Sequence, residues 1–345
     1  MEFEHIRVGV IGVGHLGSIQ AKLYKEVPEA GLVGVYDIDQ EKAQKIAREL
    51  GVKAFHSLDE LWPQVDAVNV VTPTTVHFQV AKEALNQGKH VFIEKPVTEK
   101  IVQAEELKQL AQEKQLTIQV GHVERFNPAI LSLTDVPIQP IFIEAHRLAM
   151  FNPRGTDVAV VLDLMIHDID LILHFIKSTP TRILANGVGV VSDTIDIANA
   201  RIEFENGCVA NLTASRISAK KMRKMRIFQK DAYISMDFND GIADIFYLEN
   251  EGHSLFENGT LALSLGQIDA GALKKDIKYN RLHRDNVNPM KEELISFIDA
   301  VKNGLEPAVG IDDGLNALKL AYNILKQIDR HQDYLKKHFK TEPSA

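Results

Sequence analysis

The segment Gly12-Val13-Gly14-His15-Leu16-Gly17 constrains this chain more than any other, because a G-x-G-x-x-G run is useful only where a strand turns sharply into a helix. That context is present. Ile6-Arg7-Val8-Gly9-Val10-Ile11 reads as a buried strand, and Leu16, Ile19, Leu23 and Val27 recur at helical spacings of three and four. Gly12 permits the turn, Gly14 lets backbone approach a pyrophosphate, and Gly17 allows close helix–strand packing; the N–H groups around His15 and Leu16 favour phosphate charge. Twenty residues past Gly17, Asp37 closes a second strand-like run, Leu32–Tyr36. A carboxylate there accepts from an adenosine ribose and repels a 2′-phosphate. No Arg or Lys follows before Lys42, so NAD is expected over NADP.

The same alternation of short β-type runs and amphipathic helices continues to His122, through Asp66–Val71, His90–Glu94 and Thr117–His122. It predicts an α/β doubly wound parallel sheet of the Rossmann kind. Longer β-type segments then take over, including Ile141–His146, Ile183–Val191 and Ile195–Phe204. They predict an α+β domain with a large, mostly antiparallel sheet. Asn206-Gly207 marks a two-residue hairpin, with both turn residues expected at positive φ. Near the end, Leu294, Phe297, Ile298 and Val301 share a helical face; a second helix is expected after Asp312-Asp313, and Glu342–Ala345 should fray. The reading is a dinucleotide-binding domain over 1–122, a substrate and oligomerisation domain over 123–289, and helices over 290–345 packing back on the body.

Composition narrows the partners. Of 345 residues, 39 are Lys or Arg against 47 Asp or Glu, a net charge of −8 with no aromatic-laced basic stripe, so nucleic acid is a poor fit. The acidic start lacks a signal-peptide pattern, and no apolar run is long enough to span a bilayer. A single cysteine, Cys208, excludes an intrachain disulfide and a Cys-rich metal site; a reducing, cytoplasmic setting and a small-molecule substrate are expected.

Ligands of open parallel sheets gather beyond the carboxyl ends of the strands. Thr72-Pro73, Glu94-Lys95-Pro96 and Gly121-His122 occupy such ends, with His77 one turn further on, and the Lys95-Pro96 bond is a natural place for a cis peptide. In the second domain, Asp163, His167, Asp170 and His174 fall four, three and four apart, one polar stripe if the segment is α-helical. Two of these could share a metal by spacing, but no metal is expected beside a dinucleotide fingerprint.

The glycine fingerprint, the Glu94-Lys95-Pro96 turn and the later Asp-x-x-x-His of Asp163 and His167, in this order, resemble the Gfo/Idh/MocA family of sugar and cyclitol oxidoreductases over nearly the whole chain. The resemblance implies dimers or tetramers, and it implies that Lys95, Asp163 and His167 line the substrate hydroxyl. Oxidising a secondary alcohol needs a base, and histidine is the side chain that ordinarily titrates near neutrality. Lys95 can stabilise charge on the oxygen, Asp163 can orient the ring or accept a substrate hydroxyl, and the sequence leaves open which of Lys95 and His167 takes the proton. Segments 121–128 and 165–170 are most similar to the branch oxidising the 3-hydroxyl of UDP-N-acetylhexosamines. Substrate contacts are then expected from His122, Arg125, Asn127 and Arg154, and diphosphate contacts from the acid-free basic run Arg216 to Lys230, although outward-facing strand cations explain most of that run equally well. A myo-inositol or free-sugar dehydrogenase is the alternative; a non-catalytic dinucleotide sensor is a second.

Overall fold

The computed structural model describes residues 5–152, 158–249, 262–270 and 273–338. Two compact units emerge, residues 1–126 with 287–318 and residues 127–286 with 319–345. Arg154 and the tail Glu342–Ala345 lie outside the described residues.

In the first unit, strands and helices alternate: β1 (Ile6–Ile11), α1 (His15–Tyr24), β2 (Ala30–Tyr36), α2 (Gln40–Leu50), β3 (Lys53–Ala54), α3 (Leu58–Leu61), β4 (Ala67–Val70), α4 (Thr74–Asn86), β5 (His90–Glu94), α5 (Ile101–Lys114) and β6 (Ile118–Gly121). All pairs are parallel, in the order β3-β2-β1-β4-β5-β6, which is the doubly wound sheet expected. Its third strand has only two residues, too few to leave a hydrophobic pattern. Local chemistry sets the helix ends. The Asp39 side chain accepts from Lys42 N to start α2, and Gly51 stops it at φ +67°.

The second unit carries α6 (Pro128–Leu131), β7 (Pro140–Leu148), a π-helical turn (Val161–Met165), α7 (Ile166–Ile176), β8 (Pro180–Val188), β9 (Ile197–Phe204), β10 (Val209–Ser215), β11 (Met222–Gln229), β12 (Ala232–Asp237), β13 (Ile242–Glu249), β14 (Leu263–Ala270) and β15 (Leu273–His283). These form a nine-stranded sheet, β14-β15-β13-β12-β11-β7-β10-β9-β8, antiparallel except at β7–β10. Ile143 and Ala145 of β7 and Ala210, Leu212 and Ala214 of β10 are fully buried, as are Ile166, Ile169 and Ile172 of α7, which packs on these two strands. The other face bears an aromatic row, Phe142, Phe228, Tyr233, Phe246 and Tyr279, with successive ring centroids 4.9–5.8 Å apart.

The β9–β10 hairpin is present, but its turn is not the two-residue form. Gly207 alone has positive φ (+84°), Gly207 N bonds to Phe204 O, and Phe204 N bonds to Cys208 O. A three-residue loop with glycine in the left-handed position results, and the Asn206 side chain accepts from Cys208 N to hold it.

Two helices follow, α8 (Pro289–Asn303) and α9 (Ile311–His338). Leu294, Phe297 and Ile298 of α8 join the core of the first unit, where the Phe297 ring meets Phe92 edge-on at 5.8 Å. Val301 is only partly buried there. Asp312 and Asp313 lie inside the first turn of α9 instead of before it, where the helix dipole favours acids. Among the described residues no helix is long and apolar enough to cross a membrane.

Candidate active site

The glycine loop follows from three different steric demands. A Cβ at Gly12, which has φ +92°, would lie 2.6 Å from Val71 O, and one at Gly17 would lie 1.9 Å from Gly12 O. At Gly14 a Cβ would meet nothing within 4 Å, so the backbone there is open to a ligand. Helix α1 begins at His15 with no side chain capping it, leaving its first N–H groups for an anion. Asp37 accepts the backbone N–H of Val13 at 2.8 Å and that of Asp39 at 2.9 Å, tying the end of β2 to the loop. Beside Gly12, the Thr72 hydroxyl is buried with no hydrogen-bond partner among the described residues. Pro73 follows it at the start of α4, which also lacks a side-chain cap. An open approach, an uncapped helix start and an orphaned hydroxyl fit a dinucleotide.

At the end of β5, Glu94 is buried and accepts the Lys95 N–H at 3.2 Å; Lys95 is half-buried and its bond to Pro96 is cis, as the turn suggested. His77 is buried against this turn. Its Nδ1 lies 3.0 Å from Pro96 O and its Nε2 2.8 Å from Thr72 O, so the ring braces the Lys95-Pro96 turn against the β4 end. Burial pushes the imidazole below its ordinary value, against the bonds to Thr72, Pro96 and Val97. A neutral ring donates to only one of two facing carbonyls.

Beyond β6, His122, Glu124 and Arg125 are all buried. Arg125 pairs with Asp313 at 3.2 Å, a contact 188 residues apart in sequence and therefore invisible there. Asn127, also buried, caps α6 by accepting Ala129 N and donates to Phe238 O at 3.0 Å. Both side chains thus hold the chain in place.

In the second unit Asp163 lies in the π turn and His167 in the first turn of α7, both half-buried. The uniform polar stripe expected of an α-helix does not form: the π turn shifts the register, Asp170 is buried and His174 is exposed. Helix α7 is anchored at Asp168, whose carboxylate takes two bonds from Arg147 of β7, at 3.0 and 2.7 Å. The basic run divides into paired and exposed cations. Arg216 is buried against Asp196 and donates to Val158 O, Lys224 pairs with Asp237, and Arg226 pairs with Glu144. Arg216 follows β10 and Lys224 and Arg226 lie on β11, all three beside acids; Lys220, Lys221 and Lys230 remain exposed. Among the described residues no group of three or more His, Cys, Asp or Glu could hold a metal.

A glycine loop over an uncapped helix, a ribose-ready acid at the end of β2 and a lysine turn at the end of β5 define a dinucleotide-binding oxidoreductase. Comparison with known proteins makes the class specific. Residues 6–122 match the oxidoreductase family with an NAD-binding Rossmann fold, and residues 145–235 match the GFO/IDH/MocA C-terminal domain. The chain belongs to the Gfo/Idh/MocA oxidoreductase family. It is 45% identical over 244 residues, 70% of this chain and 77% of the other, to a UDP-N-acetylglucosamine 3-dehydrogenase of Acidithiobacillus ferrooxidans. The solved structure of an enzyme of that name and organism superposes with a TM-score of 0.82 at 36% identity, covering 94% of this chain and 98% of that one. A scyllo-inositol 2-dehydrogenase (NAD(+)) of Bacillus subtilis is 31% identical over 62% of this chain and 69% of its own.

Proposed function

We propose that this chain oxidises the 3-hydroxyl of a UDP-N-acetylhexosamine, with NAD as the hydride acceptor. The likeness to the Acidithiobacillus UDP-sugar enzyme carries this substrate. Gly12, Gly14, His15, Leu16 and Gly17 hold the pyrophosphate, Asp37 the ribose, and Thr72 and Pro73 the nicotinamide half; His77 acts on that half through Thr72. When bound, the nicotinamide takes up the hydride. Lys95 hydrogen-bonds the substrate oxygen and steadies its developing charge, His167 receives the hydroxyl proton, and Asp163 orients the imidazole. The reaction belongs to the cytoplasm.

A second reading, oxidation of a free cyclitol such as myo-inositol, is favoured by one observation: Arg216, Lys224 and Arg226 of the basic run already have acid partners. NADH formation with UDP-N-acetylglucosamine and with myo-inositol decides between them. Turnover of the nucleotide sugar alone supports the first reading, and turnover of the cyclitol alone replaces it with the second.

We also propose a homodimer or homotetramer built on the open face of the large sheet. The aromatic row from Phe142 to Tyr279 supports this, since Phe228, between Phe142 and Tyr233, is 38% exposed. Sedimentation of Phe228→Asp against the unaltered protein tests it; an unchanged assembly would remove the sheet face from consideration.

A further inference from the structure

A chain of buried polar side chains runs through the first unit to the lysine turn. The Tyr24 hydroxyl donates to Asn69 Oδ1 at 3.2 Å, Asn69 Nδ2 donates to Gln20 Oε1 at 2.5 Å, and Gln20 Nε2 donates to Glu94 Oε1 at 2.6 Å. Tyr24, Gln20 and Asn69 are fully buried, and Glu94 is 9% exposed. Every bond points the same way, toward the carboxyl group, whose other oxygen takes the Lys95 N–H. Such an arrangement suits an anion. A proton on Oε1 would have to be donated back to Gln20, turning over both amides and taking from Tyr24 the acceptor it now has, and a proton on Oε2 would weaken that oxygen as acceptor of the Lys95 N–H.

The space around the carboxyl is as specific as its bonds. Gly121 lies opposite Glu94 in the β5–β6 ladder, and a Cβ there would lie 2.9 Å from Glu94 Oε2 and 3.1 Å from Oε1. Burial pushes the carboxyl up, against the Gln20 bond and the charge of Lys95. Tyr24 faces another acid, Glu293 of α8; burial first and that charge second hold its hydroxyl protonated as a donor.

We propose that Gln20, backed by Asn69 and Tyr24, is a positioning residue that keeps Glu94 a buried carboxylate and, through the bond from the Lys95 N–H to that carboxylate, fixes the turn that presents Lys95 to the substrate oxygen. This rests on the dehydrogenase reading above and deepens it, because the turn that carries Lys95 is then set by a buried anion and its three polar supports. None of the three supporting residues touches substrate.

The charge is read first without cofactor or substrate. Infrared spectra of the unaltered protein at neutral pH should show no protonated-carboxyl stretch that Glu94→Gln removes. Gln20→Met, which keeps the shape and loses the donor, should gain such a band, and Gln20→Met/Glu94→Gln should lack it. A band in the unaltered protein that Glu94→Gln abolishes, or no band in Gln20→Met, overturns the proposal. Kinetics follow with whichever of UDP-N-acetylglucosamine or myo-inositol is oxidised. Glu94→Gln and Gln20→Met should each lower kcat about tenfold, the double variant no further, with KM and NAD affinity within about twofold. Full kcat in Glu94→Gln would also overturn it. If neither alcohol is oxidised, the substrate reading fails while the infrared result still decides the charge. Gly121→Ala, which adds no polar group, should reproduce the loss of kcat by displacing the carboxyl.

Discussion

Asp37 and Val13 are joined by a hydrogen bond of 2.8 Å from the Val13 N–H to the Asp37 carboxylate, so the group expected to read the ribose also fixes the loop expected to hold the phosphates. Asp37→Ala therefore loses two functions at once. NAD affinity should fall about a hundredfold, the loss of charge-assisted bonds worth a few kcal/mol. Asp37→Asn can still accept from Val13 N, and should lose less. Titration of both variants with NAD checks the order; equal losses would separate Asp37 from the loop.

Lys95→Met should abolish most hydride transfer, about 10³-fold in kcat, while NAD still binds. His167→Asn should do the same through loss of the base. Substantial activity in either variant, with binding intact, would remove that residue from the reaction.

His77 makes a pH-dependent contribution whose sign is fixed by burial. Its native value lies below the ordinary one, so the unfolded chain binds the proton more readily. Stability is unaffected above histidine's ordinary value of about 6.5 and is lost as pH falls from there toward the depressed native value. Urea unfolding at about pH 8 and about pH 5.5 should show a smaller drop in His77→Gln than in the unaltered protein. His90, lowered likewise by burial, leaves part of the slope in place.

Arg147 and Asp168 form a buried, doubly bonded pair, 6% and 3% exposed at their side chains, directly after His167. Asp168→Ala removes the buried carboxylate that takes two guanidinium bonds and should cost about 3–5 kcal/mol. Arg147→Met/Asp168→Leu should recover most of that, because apolar replacements of a buried pair are often near neutral. Denaturant melts give both numbers. A double variant no more stable than Asp168→Ala would mean that the pair does more than satisfy its own charges.

What the sequence disclosed depended on how local the cause was. The glycine loop, Asp37 and the Lys95-Pro96 turn were legible because each is set by steric demands within a few residues. So were β1 and β5, whose hydrophobic runs end where the strands end. The π turn before α7 was not, since Asp163 and His167 have ordinary helical spacing and only the backbone shows the register shift. The pairing of the basic run was not legible because its acid partners, Glu144, Asp196 and Asp237, sit on other strands or loops. The bond between Gln20 and Glu94 was not legible either, because the two residues are 74 apart in sequence.

The first unit is assembled from two stretches of chain separated by the whole of residues 127–286. Gln119 of β6 donates to Glu293 O at 2.7 Å across 174 residues, and Phe92 receives Phe297 only after the second sheet has been made. During vectorial synthesis the Rossmann core must therefore wait, one apolar flank uncovered, until the return segment leaves the ribosome. A nascent chain halted after Asn286 should be cut by protease within the first unit, and adding residues 287–318 should protect it.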